Sequence, residues 1–132
     1  MSDPTRPKHV LVVDDDEASR RLVEIALRRL DVEVVATGDP HQVIGLVRDL
    51  HPAVIVLDVM MPGLDGPMIA EQIRELAPED ARRAKILLWS ALDAGELSAR
   101  AERCGADAVV LKVAGPAVLV QEVGGLLDLW QS

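Results

Sequence analysis

Short runs of Val, Ile and Leu recur along this chain, at VLVV (10–13), VIVL (54–57), ILLW (86–89) and VVL (109–111). Continuous apolar runs of this length suit parallel strands buried on both faces, whereas a half-exposed strand would alternate. Between them the period changes to that of a helix: Leu22, Ala26 and Leu30 fall at fourfold spacing, with Val23 and Leu27 beside them. The alternation predicts five βα units, with strands over 9–13, 32–36, 53–57, 85–89 and 107–111. The matching helices cover 17–30, 40–50, about 67–76, about 94–103 and 116–130. Punctuation agrees with those bounds. Asp39 suits a helix N-cap and Pro40 the first helical position, His51-Pro52 breaks the second helix, and Gly105 ends the fourth. Right-handed crossovers then place helices on both faces of one parallel sheet, an α/β fold.

At 132 residues the chain is one domain, long enough to bury about two thirds of its unfolded surface. Residues 1–8, with Pro4 and Pro7, are expected to form a flexible arm, leaving 9–131 as the folded unit. A net charge of −8 and a pI near 4.8 disfavour direct nucleic-acid binding, which needs clustered positive charge against the phosphates. The single Cys104 cannot form an internal disulfide and no signal-peptide pattern is present, so a cytoplasmic location is expected. No hydrophobic run approaches a membrane span, and His9, His41 and His51 lack metal-ligand spacing.

The chemistry lies at the strand ends. VLVV stops at Asp14-Asp15-Asp16, VIVL at Asp58, ILLW at Ser90 and VVL at Lys112. In open α/β sheets the ligand crevice lies beyond the carboxyl ends of the strands, so these polar residues converge. Each has an ordinary account by itself. Asp16 suits a helix cap, Asp58 a turn, Ser90 a local backbone hydrogen bond, and Lys112 the surface. Asp14 and Asp15 fit less well, because adjacent carboxylates at a buried strand end repel by up to about 4 kcal/mol at close approach. A hard divalent cation would relieve that repulsion, a hydroxyl would add a hydrogen bond, and an ammonium a fixed positive charge. Together they describe a metal-assisted phosphoryl acceptor.

The stretches VLVVDDD, LDVMMPGLDG, Ser90-Ala91, Gly105-Ala106-Asp107 and Lys112 resemble the receiver domain of bacterial two-component response regulators. The likeness spans the whole chain and is to the single-domain, chemotaxis-regulator-like type. It implies a flavodoxin-like (βα)5 three-layer sandwich with a five-stranded parallel sheet of order 2-1-3-4-5. It implies Asp58 as the phosphorylated residue, with Ser90 and Lys112 completing the catalytic set. It implies Mg²⁺ held by Asp15, Asp58 and the Met60 carbonyl, with Asp14 acting through metal-bound water. By the same resemblance the donor is a sensor histidine kinase or histidine phosphotransfer protein, docking around Ala18, Arg21 and Leu22 and on the loop 113–116. The chain would then be no enzyme in the ordinary sense but an autocatalytic phosphoacceptor that slowly dephosphorylates itself.

Two positions depart from the family pattern. Val113 follows Lys112 where a proline with a cis bond is usual, and a cis bond without proline costs several kcal/mol, so the loop is expected to take another path. Val109 stands where Tyr or Phe is usual, and the chain has no Tyr or Phe at all, which removes the common aromatic switch. Trp89, next to Ser90, is expected on the opposite side of its strand. In the last helix Leu119, Val123, Leu126 and Trp130 form a core stripe that Val118, Val120, Leu127 and Leu129 widen. That pattern suits either a broadly buried helix or a partner surface, such as a homodimer through the strand-five/last-helix face. Two competing functions fit the residues less well. One is a phosphorylation-independent pseudo-receiver adaptor with an altered strand-five output face. The other is a haloacid-dehalogenase-type phosphohydrolase, which should carry a later acidic pair after the lysine, where Asp128 is the sole aspartate.

Overall fold

The computed structural model describes residues 8–61 and 64–129, without the side chains of residues 60, 61, 64, 65, 67 and 80. The main elements are β1 (Lys8–Val13), α1 (Glu17–Leu27), β2 (Val32–Thr37), α2 (Val43–Leu50), β3 (Val54–Asp58), α3 (Gly66–Leu76), β4 (Lys85–Ser90), α4 (Ala94–Cys104), β5 (Ala108–Leu111) and α5 (Pro116–Asp128). The five strands form one parallel sheet in the order β2-β1-β3-β4-β5, the expected flavodoxin-like arrangement.

Strand periodicity divides the core into two layers. Leu11, Val13, Ile55, Leu57, Ile86 and Leu88 face α2, α3 and α4, meeting Val43, Val47, Ile69, Ile73 and Leu97. Their neighbours Val10, Val12, Val54, Val56, Leu87 and Trp89 face the other way, against Val23 and Leu27 of α1 and Leu119 and Val123 of α5. β3, central in the sheet, is buried along its whole length. This places its last residue, Asp58, in a protected position between β1 and β4.

Several bounds differ from expectation. Lys8, expected in the arm, is the first residue of β1, and its Nζ donates to the Leu127 carbonyl at 3.2 Å. The remainder of that arm, and Trp130, lie outside the described residues. α1 stops at Leu27 rather than residue 30, because the N–H groups of Arg28, Arg29 and Leu30 bond three residues back and tighten the turn into β2. Before α2, a 3₁₀ turn at Pro40–Gln42 is capped by Asp39, whose side chain accepts from the His41 N–H. A short helix, Glu79–Arg82, fills the segment before β4.

After β5 the chain makes a 3₁₀ turn, Lys112–Ala114, and no described peptide bond is cis. The turn leaves Val113 exposed. In α5, Leu127 is buried and Val120 partly so, while Val118 and Leu129 remain 36% and 56% exposed. The broad apolar stripe is thus mostly core, with two residues outside it. No described helix is long and apolar enough to cross a membrane.

Candidate functional site

Asp14 leaves β1 still bonded to the neighbouring strand, its N–H donating to Thr37 O at 3.1 Å. Its carboxylate then turns back on its own chain and accepts from the Asp16 N–H at 3.0 Å. Asp16 in turn caps α1, accepting from Ala18 N–H at 3.2 Å, as its sequence position predicts. Asp15 projects outward between them and is exposed. Asp58 ends β3 in register with Trp89 of β4, so Ser90 lies one residue beyond it at the next strand end. Lys112 opens the turn after β5.

The structure brings four of the predicted residues into one pocket. Carboxylate oxygens of Asp14, Asp15 and Asp58 all lie within 4.8 Å of one another. Lys112 Nζ reaches Asp14 Oδ2 at 3.1 Å and Asp58 Oδ2 at 3.4 Å. Asp14 and Asp58 are buried, so the lysine ties together two carboxylates that water barely reaches. Ser90 is also fully buried, and its hydroxyl accepts from the Leu92 N–H at 3.1 Å. The backbone of Met60 lies in a two-residue strand, Met60–Met61, paired with Leu64–Asp65 two residues beyond Asp58.

The charges are set by opposing influences. Burial, the largest, pushes the Asp14 carboxyl up. Hydrogen bonds with the Ser19 hydroxyl, the Asp16 N–H and Asp58, together with the Lys112 charge, hold it below its ordinary value. For Lys112, burial pulls the ammonium down, but the Asp58 and Asp14 carboxylates raise it above the usual lysine range. Asp14 and Lys112 are therefore each held in the charged form, an ammonium set against the acidic cluster. Oxygen-only donors converging with surplus negative charge fit a hard divalent cation such as Mg²⁺.

Four residues to which the sequence reading gave no role in the pocket lie around it. Arg20 donates to the Asp14 carbonyl at 2.7 Å, and Gly38 leaves it room, since a Cβ there would lie 2.5 Å from Arg20 Nη1. Gly66 packs against the backbone of the acceptor: a Cβ would lie 2.9 Å from Asp58 O and 3.1 Å from Val59 Cα. Both glycines look like ordinary turn residues in sequence, because the groups they accommodate are remote. Ser19 could not be recognised either. Its hydroxyl accepts from the Trp89 indole N–H at 3.4 Å, a partner 70 residues away that it meets only after folding.

Comparison with known proteins agrees with this geometry. The family model for the response regulator receiver domain matches residues 10–124. A probable transcriptional regulator of Cyanophora paradoxa is 34% identical over 122 residues, which cover 91% of this chain and 48% of that protein. This chain thus spans about half the length of such relatives. Among solved structures, a Francisella response regulator receiver domain superimposes with a TM-score of 0.79 at 25% identity, covering 92% of this chain and 97% of that one. The chemotaxis protein CheY4 of Vibrio cholerae, at 22% identity, shares the fold with a TM-score of 0.82 over 92% of this chain and 99% of that one. With the family model covering most of its length, the chain belongs to the response regulator receiver domains, the signalling switches of two-component systems.

Proposed function

We propose that the chain is a phosphoacceptor switch in which Asp58 takes a phosphoryl group from a phosphohistidine of a sensor histidine kinase or histidine phosphotransfer protein. The observation that carries this reading is the Lys112 ammonium bridging Asp14 and Asp58, at 3.1 and 3.4 Å, beneath a carboxylate cluster open to solvent at Asp15. An Asp58 oxygen attacks phosphorus in line, the P–N bond of the donor breaks, and the imidazole leaves with the bonding pair. Lys112 is poised to offset charge on the transferred oxygens, and the Ser90 hydroxyl, exchanging its backbone partner Leu92, supplies a hydrogen bond. Asp15, Asp58 and the Met60 carbonyl would hold Mg²⁺, with Asp14 contacting it through water. Bound there, Mg²⁺ would spread the negative charge of the transferring group. Water attacking the acyl phosphate at phosphorus later returns Asp58 to its carboxylate and releases phosphate.

The donor would dock on α1 around Ala18, Arg21 and Leu22 and on the exposed turn after Lys112. The strand-five/last-helix face offers the exposed Val109 and Val118 to a second copy of the chain. Incubation with acetyl phosphate and Mg²⁺ tests the central claim. Intact-mass analysis should show one added phosphoryl group, absent from Asp58→Asn. Equal labelling of that variant would overturn the acceptor assignment, and no labelling of the parent would favour a phosphorylation-independent adaptor.

A further inference from the structure

Strand β1 parts from β2 at Asp14. The register Val13–Thr37 and the bond from Asp14 N–H to Thr37 O at 3.1 Å continue the ladder, whose next bond would run from Asp39 N–H to the Asp14 carbonyl. Both groups take other partners instead. The Asp39 N–H donates to the Thr37 hydroxyl at 3.1 Å, and the Asp14 carbonyl accepts from Arg20 Nη1 at 2.7 Å. The Asp16 N–H likewise leaves the sheet for Asp14 Oδ1, at 3.0 Å. Arg20 lies against Gly38, where a Cβ would come within 2.5 Å of Nη1 and 3.3 Å of Cζ. Space is what Gly38 contributes, since the described glycines with positive φ are Gly105 and Gly115. The loop that carries Gly38 is braced by the Thr37 hydroxyl, which donates to Gln42 Oε1 at 2.8 Å.

We propose that Arg20 is a positioning residue for the acidic pocket: seated on Gly38, its guanidinium replaces the missing rung and holds the 14–16 turn so that the Asp14 and Asp15 carboxylates meet Asp58. This deepens the phosphoacceptor reading and rests on it for the identity of the cation. Asp14 is fully buried, so its carbonyl needs a partner once β2 turns away, and α1 supplies one. The bond ties the end of β1, the first turns of α1 and the loop after β2 together where two candidate metal ligands leave the sheet. Carboxylates already held in place bind a cation more tightly than carboxylates that the cation must order. Charge alone predicts the reverse. A guanidinium beside an acidic cluster competes with a bound cation, so removing it would strengthen metal binding. The two roles thus differ in sign.

Calorimetric titration of the full chain with Mg²⁺ reads that sign. Arg20→Ala should raise the Mg²⁺ dissociation constant roughly tenfold or more, as loss of a group that orients a metal ligand does. Arg20→Lys, which keeps the charge and a donor, should recover part of that loss. Gly38→Ala keeps the guanidinium but pushes Nη1 off its seat, and a flexible side chain can swing aside at little cost to the fold. It should therefore weaken Mg²⁺ binding too. The double variant should bind no more weakly than Arg20→Ala, because both changes remove the same bond. Unchanged or tighter binding in Arg20→Ala overturns the proposal, as do a Gly38→Ala protein that matches the parent and losses that simply add. If the parent neither binds Mg²⁺ nor is labelled at Asp58 by acetyl phosphate, the phosphoacceptor reading fails instead. Hydrogen exchange in the metal-free protein then decides the role of Arg20. The Asp14 and Asp16 amides should exchange several-fold faster in Arg20→Ala and in Gly38→Ala, while that of Ile86, at the opposite end of the sheet, keeps its rate. Equal acceleration of all three amides, or of none, overturns the proposal.

Discussion

Lys112 is the single residue on which the charge balance of the pocket turns. Its pKa is raised chiefly by Asp58 and then Asp14, while that of Asp14 is lowered chiefly by hydrogen bonds, with Lys112 adding to them, and each shift gives stability a direction with pH. The Asp14 contribution is present above the ordinary aspartate range and is lost as pH falls through its lowered folded value. The Lys112 contribution is complete below the ordinary lysine range and is lost as pH rises through its raised folded value. Lys112→Met should therefore abolish the alkaline loss, and at pH 7 should cost on the order of 1.5–3 kcal/mol in urea unfolding, the range for hydrogen bonds to charged groups. Part of that loss should return with Mg²⁺, which supplies the missing positive charge. Gly66 tests the pocket by shape rather than charge. A methyl group added there meets backbone atoms of Asp58 and Val59, which cannot swing aside as a side chain can. Gly66→Ala is expected to lower the rate of Asp58 labelling by acetyl phosphate and to destabilise the fold by about 1–3 kcal/mol, as overpacking does.

The elements differ in how much of them the sequence displays. β1, β3 and β4 announce themselves because each is buried on both faces and so needs an unbroken apolar run. Asp14, Asp58, Ser90 and Lys112 were legible for the same reason, as polar residues abruptly ending such runs. The short helix Glu79–Arg82 was not. It is held by the Arg74 guanidinium, which donates to the carbonyls of Arg82 and Ala84, and no local period encodes that contact. The start of β5 hides a similar device. Asp107 precedes the strand, yet its carboxylate accepts from the Ile86 N–H at 2.8 Å while its own N–H donates to Ile86 O at 2.8 Å. A side chain thus replaces the backbone acceptor that β5 does not reach far enough to offer. Arg74 holds the same carboxylate at 3.6 Å. Asp107→Ala should leave the buried Ile86 N–H unpaired and cost about 1–3 kcal/mol by thermal or urea unfolding. Asp107→Asn, which keeps an acceptor oxygen, should cost less.

At the scale of the molecule, the two core layers meet only through the sheet, and the pocket sits where strands from the middle of that sheet run out. On the proposed reading, Ser90 leads from the pocket toward the β4–α4 connection, since its hydroxyl holds the Leu92 N–H there. The Lys8–Leu127 contact has a consequence at the other pole. It joins residues 119 apart in sequence, at the end of the sheet farthest from the carboxylates. The backbone is thus nearly a closed circuit, and the point at which that circuit is cut matters little to the pocket. A circular permutant, linked across this contact and opened in the exposed turn around Pro78, would keep Asp14, Asp58, Ser90 and Lys112 on their own strands while reversing the order in which their halves of the sheet are synthesised.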